Sequence, residues 1–198
     1  MKRYLLFIAF FAFSMSTASA QFDAGKLFGG ANLGYASPIG DFSEYAKGGF
    51  AYNLLAGYQF TEKLSAGIEY SSAVTVALDV EGGSGFLGFT AYGLNAFVVK
   101  GWYKFMTGNF KPYVGLGVGL ANVAEPTIII NNVETEGASR LGLGANAELG
   151  LTIAGFNVSY SFNINGKTPS AEESVLNIES ADLSVSYHRF ALGYIYNF

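Results

Sequence analysis

Few side chains in this sequence could carry out chemistry, and the only histidine is the first to consider. Ser186 lies two residues before His188, and Glu173 and Glu179 are nearby in the chain. On a regular strand, Ser186 and His188 would share one face. A nucleophile–base pair also needs hydrogen-bond geometry and an orienting acid, for which the sequence gives no signal. We therefore expect His188 to be an ordinary interfacial residue, and we expect no catalytic residue and no enzyme.

The sequence also offers no evident set of metal ligands. It has one His and no Cys, so cysteine-containing zinc sites, disulfides and thiol chemistry are excluded. The acidic segment 79–83 lacks the ligand spacing of a calcium-binding loop. We expect neither a metal nor a cofactor. The formal net charge of -4, without a basic patch, argues against a nucleic-acid partner.

Charged residues inside otherwise apolar segments form a second group of candidates. Glu69, Glu148 and Arg189 lie on the small or polar face of such segments, and Arg140 begins another. A carboxylate removed from water needs a cation or hydrogen-bond donors. We expect Glu69 and Glu148 to approach Arg189, with Arg140 nearer one end of the same network. The network would either fill the interior as a structural plug or line a gated pore.

The segments that must position these charges alternate with a period of two, which predicts strands with two unlike faces. The chain is 51% hydrophobic and 13% charged, yet after residue 20 it has no run of ~20 apolar residues for a spanning helix. Apolar strands of this kind are expected in a closed barrel surrounded by lipid. The sequence predicts an all-β fold, an eight-stranded antiparallel up-and-down transmembrane β-barrel. Its strands are 26–36, 50–60, 64–76, 89–105, 112–122, 140–152, 156–165 and 183–198.

The orientation of two strands is less regular than that of the others. On the fourth strand we place Asn95 inward, so that Lys100 points outward and extends its ammonium to the membrane interface. The outward set on this strand is Tyr92, Leu94, Ala96, Val98 and Trp102. On the eighth strand, Val185 and Tyr187 are out of step with the residues after Phe190, which predicts a bulge or a strand that rises above the membrane.

Aromatic and glycine residues also have predicted positions in the barrel wall. An interfacial aromatic girdle is expected from Trp102, Tyr103, Tyr194 and Tyr196. Inward glycines on the fifth and sixth strands either relieve curvature or leave sockets. The side chains expected to fill such sockets are Phe28, Tyr113 and Phe97.

The first twenty residues differ from the rest of the chain. Lys2 and Arg3 precede an apolar core at 5–13, and small residues lead up to Ala20. This pattern predicts a signal peptide, residues 1–20, cleaved between Ala20 and Gln21. The remaining residues, 21–198, form one predicted barrel domain.

The chain resembles small eight-stranded outer-membrane barrels of the OmpA/OmpX kind, or the broader porin-like outer membrane protein beta-barrel domain family. The resemblance rests on the signal peptide and on residues 37–43 (SPIGDFS), 110–115 (FKPYVG) and 194–198 (YIYNF). It implies integral insertion in the outer membrane of a Gram-negative bacterium. Tyr196 and Phe198 would then form the C-terminal signal read by the barrel-assembly machinery.

The connections indicate which side faces outward. An even number of strands puts both termini on one side, the periplasm, together with the short turns. The long loops, 37–48, 79–87, 125–139 and 165–182, would face the exterior, and they are rich in acids. Expected partners are outer-membrane lipids, lipopolysaccharide met through divalent ions, and an extracellular ligand or surface.

The function expected first is non-enzymatic: a barrel with a filled lumen that supports the envelope or interacts through acidic loops. A narrow porin-like channel or carrier for small or hydrophobic solutes is the alternative. A lipid-modifying enzyme is third, because some such enzymes are eight-stranded barrels that use Ser and His at the membrane rim. Fold alone does not distinguish these functions.

Overall fold

The computed structural model of the chain is built almost entirely from β-strands. It describes residues 26–77, 91–125, 128–130, 133–135, 137–170 and 182–197. Several predicted features lie outside the described residues: the signal peptide at 1–20, the Ala20–Gln21 cleavage site, Phe198, the loop 79–87 and most of the loop 165–182. Within the described ranges, no helix is long and apolar enough to cross a membrane.

Eight long strands form the wall, close to the positions predicted from the alternation. They are β1 (Leu27–Ile39), β3 (Gly49–Gln59), β4 (Leu64–Ala77), β5 (Ala91–Lys104), β6 (Phe110–Ala124), β9 (Ser139–Ile153), β10 (Phe156–Lys167) and β11 (Ser184–Asn197). Within the described ranges, three short strands lie between them: β2 (Ala46–Lys47), β7 (Ile128–Ile130) and β8 (Val133–Thr135). β2 pairs with β4, and β7 pairs with β8.

The sheet closes on itself. Each long strand pairs antiparallel with the next long strand, and β1 pairs with β11 from Phe28↔Asn197 to Ile39↔Ser186. Closure leaves no free edge among the eight long strands, which satisfies the backbone hydrogen bonds of the wall without water. The predicted eight-stranded antiparallel barrel is confirmed.

The two ends of the barrel differ. At the turn end, residues 60–63, 105–109 and 154–155 make short connections. The tightest turn is Ala154–Gly155, where φ is 49° and 92°. Two successive positive φ values match the twist of a two-residue hairpin, and the glycine adopts this conformation without strain. The opposite end, the loop end, carries the longer connections.

A short 3-10 helix closes part of the loop end. It spans Gly40–Glu44 and brings the fully buried Phe42 against Tyr92, with ring centroids 5.2 Å apart in an edge-to-face contact. Val123, Val185 and Tyr187 belong to the same apolar layer. The stretch after β1 therefore folds back into the barrel instead of projecting from it.

The outer surface is apolar and rich in aromatic residues. Leu143 is 80% exposed, and aliphatic side chains cover much of the rest. An aromatic belt near the turn end includes Tyr58, Phe60, Tyr103, Phe105, Phe156, Tyr194 and Tyr196. Further outward aromatic residues lie from mid-height upward: Tyr35, Phe50, Tyr52, Tyr70, Tyr160 and Phe190. An exposed apolar surface that carries aromatic residues in this way is the surface that a lipid bilayer requires.

The predicted orientation of β5 is wrong. Phe97 and Val99 face outward, whereas Lys100 is 1% exposed and faces the interior. The whole set placed outward, namely Tyr92, Leu94, Ala96, Val98 and Trp102, is buried inside. Both faces of this strand are apolar, so alternation alone does not fix its phase. An enclosed lysine can meet carboxylates, whereas a lysine facing lipid cannot.

Of the two explanations offered for the phase of β11, the bulge is contradicted by the structure. Val185, Tyr187 and Arg189 all face inward, in step with Ala191. The pairing with β1 is continuous, and the register shift lies instead on the β10 side, between Ile164 and Lys167. Val185 and Tyr187 belong to the interior because the apolar layer at the loop end packs around Phe42.

Candidate functional site

Four charged side chains meet at mid-height inside the barrel. They come from four strands: Glu69 on β4, Lys100 on β5, Glu148 on β9 and Arg189 on β11. All four are buried, and we call them the interior charge cluster. Its two carboxylates and two cations sum to zero formal charge.

Lys100 contacts both carboxylates. Its Nζ donates to Glu69 Oε2 at 2.8 Å and to Glu148 Oε2 at 2.7 Å. The Arg189 Nη2 donates to Glu69 Oε1 at 2.9 Å and lies 3.5 Å from Glu148 Oε2. The predicted approach of Glu69 and Glu148 to Arg189 is therefore present, and Lys100 is the member that sequence reasoning missed.

Neutral polar groups extend the cluster. Asn146 Nδ2 donates to Glu69 Oε1 at 3.3 Å, and the Tyr113 hydroxyl lies 2.7 Å from Glu148 Oε1. The same hydroxyl is 3.0 Å from Asn157 Oδ1. Buried carboxylates are tolerated when cations and donors surround them in this way. The network of hydrogen bonds therefore crosses the lumen from wall to wall.

Inward glycines make room for these side chains. A Cβ added at Gly150 would lie 2.2 Å from Tyr113 Cζ, and one at Gly115 would lie 2.9 Å from Trp102 Cδ1. At Gly57 it would lie 2.5 Å from Phe28 Cζ. Gly150 on β9 is thus a socket for Tyr113, as expected, whereas Phe28 fills the space at Gly57 on β3, outside the two strands for which sockets were predicted. Phe97, the third expected occupant, instead faces outward and is 50% exposed.

Arg140 does not join the interior charge cluster. It forms an ion pair with Asp182 at the loop end, and its Nη1 donates to the backbone oxygen of Thr168 at 3.2 Å. Arg140 lies near the loop end of β9, well above Glu148, so its side chain meets the connection between β10 and β11. It lies outside the lumen network in which the sequence analysis placed it.

Trp102 does not belong to the aromatic girdle. It is buried and packs edge-to-face on Phe28 at 5.6 Å between centroids. Lys100 Nζ lies 5.7 Å from the centre of its ring, within the range of a cation–π interaction. The reversed phase of β5 moves Lys100 and Trp102 inward together. Tyr103, Tyr194 and Tyr196 are exposed on the outside, where the girdle was predicted.

His188 lies on the outer face near the loop end. Its Nδ1 is 2.6 Å from the Tyr160 hydroxyl, and the two rings stack with centroids 5.3 Å apart. The partner of the imidazole is thus a tyrosine, and no hydrogen bond joins it to Ser186 among the described residues. The described residues also contain no group of three His, Asp or Glu side chains that could hold a metal.

Comparison with known proteins identifies the family. The model of the outer membrane protein beta-barrel domain matches residues 5–198. Neisserial surface protein A is similar in structure, with a TM-score of 0.59 and 16% identity, over 87% of this chain and 97% of that chain. OprG of Pseudomonas aeruginosa gives a TM-score of 0.50 and 13% identity, over 87% and 97%. No curated protein sequence matches. With a closed eight-stranded barrel and a family match over almost its whole length, this chain belongs to the outer membrane protein beta-barrel domain family of Gram-negative outer membranes.

Proposed function

We propose that this outer-membrane protein is a closed, non-enzymatic barrel that acts through its outer surface and loops rather than by conducting solutes. One observation carries the proposal. The interior charge cluster joins strands on opposite sides of the lumen through Lys100 and Arg189.

Apolar layers on both sides of the cluster support this proposal. Phe28, Leu55, Trp102 and Tyr113 pack below it, toward the turn end. The layer around Phe42 lies above it. A solute would have to displace both layers and separate buried ion pairs, and separating such pairs is costly. Two of the inward glycines that favoured a channel in the sequence, Gly115 and Gly150, are sockets filled by Trp102 and Tyr113.

The acidic loops are proposed to face the exterior, with the turn end and the chain termini in the periplasm. Asp41, Glu44 and Asp182 are exposed at the loop end, and their charge is suited to divalent ions that bridge to lipopolysaccharide. We likewise propose that the loops bind an extracellular ligand and that the barrel-assembly machinery recognises the C-terminal residues. Residues 1–20 are proposed to be removed.

The test is ion conductance of the refolded protein in a planar bilayer. We expect no current from the wild type. The double variant Glu69→Ala/Arg189→Ala removes one pair without changing the net charge, and current from this variant alone would show that the cluster, rather than the apolar layers, closes the lumen. Leu143→Ala/Val118→Ala is the matched control on the lipid face and should be silent. Steady current from the wild type would overturn the proposal.

A further inference from the structure

A small cavity at the turn end is separate from the interior charge cluster. It has a volume of about 40 Å³ and opens toward the turn end. Its apolar lining includes Phe28, Leu55, Trp102, Tyr113 and Ile195. One water-sized group needs roughly 10–15 Å³ of such volume, so the cavity holds about three groups of that size. The Tyr113 hydroxyl bonds to Glu148 at its inner end, which makes the cavity a blind pocket.

Two lysines line this cavity together with the apolar side chains. Lys104 Nζ donates to the neutral Oε1 of Gln59 at 2.9 Å and lies 5.9 Å from the centre of the Phe28 ring. Lys111 lines the same cavity. Among the described residues, no carboxylate lies within 4.0 Å of either ammonium. Two nearby cations with no anion beside them in the described ranges favour binding of a negative group between them.

A third polar group on the cavity wall has no partner in the described part of the chain. The Ser65 hydroxyl is buried, lines the cavity, and makes no hydrogen bond there. Buried hydroxyls are nearly always hydrogen-bonded in proteins. Its oxygen is closed off from the cavity by neighbouring atoms, so a ligand would reach it only after a shift of the wall.

We propose that the turn-end cavity binds a short-chain aliphatic carboxylate. Its hydrocarbon part would lie among Phe28, Leu55 and Trp102, and its carboxylate would accept hydrogen bonds from Lys104 and Lys111. The apolar lining disfavours fully hydrated anions such as sulfate, because burying them would strip water without replacing it. The size of the cavity limits the buried part of the tail to a few carbons.

Trp102 provides a direct probe, since it is the only tryptophan of the chain and lines the cavity. The experiment uses the full barrel in lipid nanodiscs and titrates it with 3-bromopropanoate, whose two methylenes and bromine match the three groups that the cavity holds and whose bromine quenches indole fluorescence on contact. The neutral 3-bromopropanol is the matched ligand control. We expect saturable quenching by the acid, at a concentration at least several-fold below that needed for the alcohol, and weaker binding at high salt.

Two double variants distinguish the effect of Lys104 and Lys111 from the effect of positive charge elsewhere at the turn end. Lys104→Gln/Lys111→Gln should weaken binding of the acid at least about tenfold, while binding of the alcohol stays unchanged. Lys26→Gln/Lys63→Gln removes two other lysines of the same end and should have no effect. If the first double variant does not fold, Lys111→Gln alone serves, because its side chain has no hydrogen-bond or ion-pair partner in the described ranges. The proposal is overturned if quenching rises linearly and equally with the acid and the alcohol. It is also overturned if binding of the acid is unchanged in the lysine variants.

Discussion

Lys100 and Glu69 form a diagonal ion pair across β4 and β5, with the ammonium 2.8 Å from Oε2 of the carboxylate. Lys100 is opposite Gly67 in the pairing of the strands, and Glu69 is opposite Val98. The glycine that leaves room for the lysine lies on β6, where a Cβ added at Gly115 would be 3.0 Å from Lys100 Cε. A glycine in the wall thus leaves space for the side chain that reaches Glu69.

Loss of the arginine charge should destabilise the barrel strongly. Arg189→Met leaves Glu69 and Glu148 with Lys100 as their only cation, and breaking a buried pair from one side costs about 3–5 kcal/mol. Arg189→Lys should retain much of the stability, because only Nη2 contacts the carboxylates. The measurement is urea unfolding in lipid vesicles. Equal midpoints for Arg189→Met and wild type would contradict the assigned ion pairs.

Removal of a matched pair should cost less than removal of one charge. Lys100→Met leaves two carboxylates facing one arginine, whereas Lys100→Met/Glu148→Gln restores a neutral interior with one ion pair. The same unfolding assay should show the double variant to be the more stable of the two. A strictly additive loss in the double variant would mean that Lys100 and Glu148 are not coupled.

Gly150 should not tolerate a side chain. An added Cβ would lie 2.3 Å from the Tyr113 hydroxyl, and Gly150→Ala should therefore cost about 1–3 kcal/mol through overpacking. Gly101→Ala is the matched control, because nothing lies within 4 Å of its added Cβ. It should be neutral or stabilise slightly, since glycine is unfavourable inside a strand. The unfolding midpoints of both variants decide the matter.

The ion pair at the loop end should respond to acid. The hydrogen bond from Arg140 holds the pKa of the exposed Asp182 carboxyl below its usual value. Because the pKa is lower in the folded state, this contact stabilises the loop end at neutral pH, and the contribution disappears as the pH falls through that lowered pKa. Arg140→Gln should raise the Asp182 pKa toward the ordinary value.

The titration is measured by carboxyl 13C NMR of Asp182. Lys167→Gln is the control, because Lys167 acts on Asp182 only through weaker, longer-range attraction and should shift the pKa less. An unchanged Asp182 titration in Arg140→Gln would contradict the contact.

The sequence predicts the strand positions, the closed barrel and three members of the interior charge cluster, because one face of each strand must be apolar. The phase of β5 could not be predicted from alternation, since Phe97 and Val99 on one face are as apolar as Leu94 and Val98 on the other. Lys100 is the residue that indicates the correct phase of β5. A lysine in the middle of a spanning strand favours the interior when buried carboxylates need a cation.

The position of Phe42 was beyond sequence reasoning for a different reason. A phenylalanine in a loop carries no periodic signal, and its burial depends on the space that Ala36, Ala51 and Ala73 leave at the loop end. The turn-end cavity likewise depends on residues from many strands, including Ser65, Trp102 and Lys111. Such arrangements are set by strand stagger around the barrel, which one sequence does not reveal.

Pairing of β1 with β11 has a consequence for the order of folding events. These strands are separated by most of the chain, and contacts of such sequence separation form late and slowly. Arg189 is carried by β11, so until that strand docks, Glu69 and Glu148 share the single cation Lys100. Closing the wall and neutralising the lumen are therefore one event. A partly closed barrel would keep an excess negative charge inside. This charge would destabilise the partly closed form and so prevent it from persisting as a trapped intermediate.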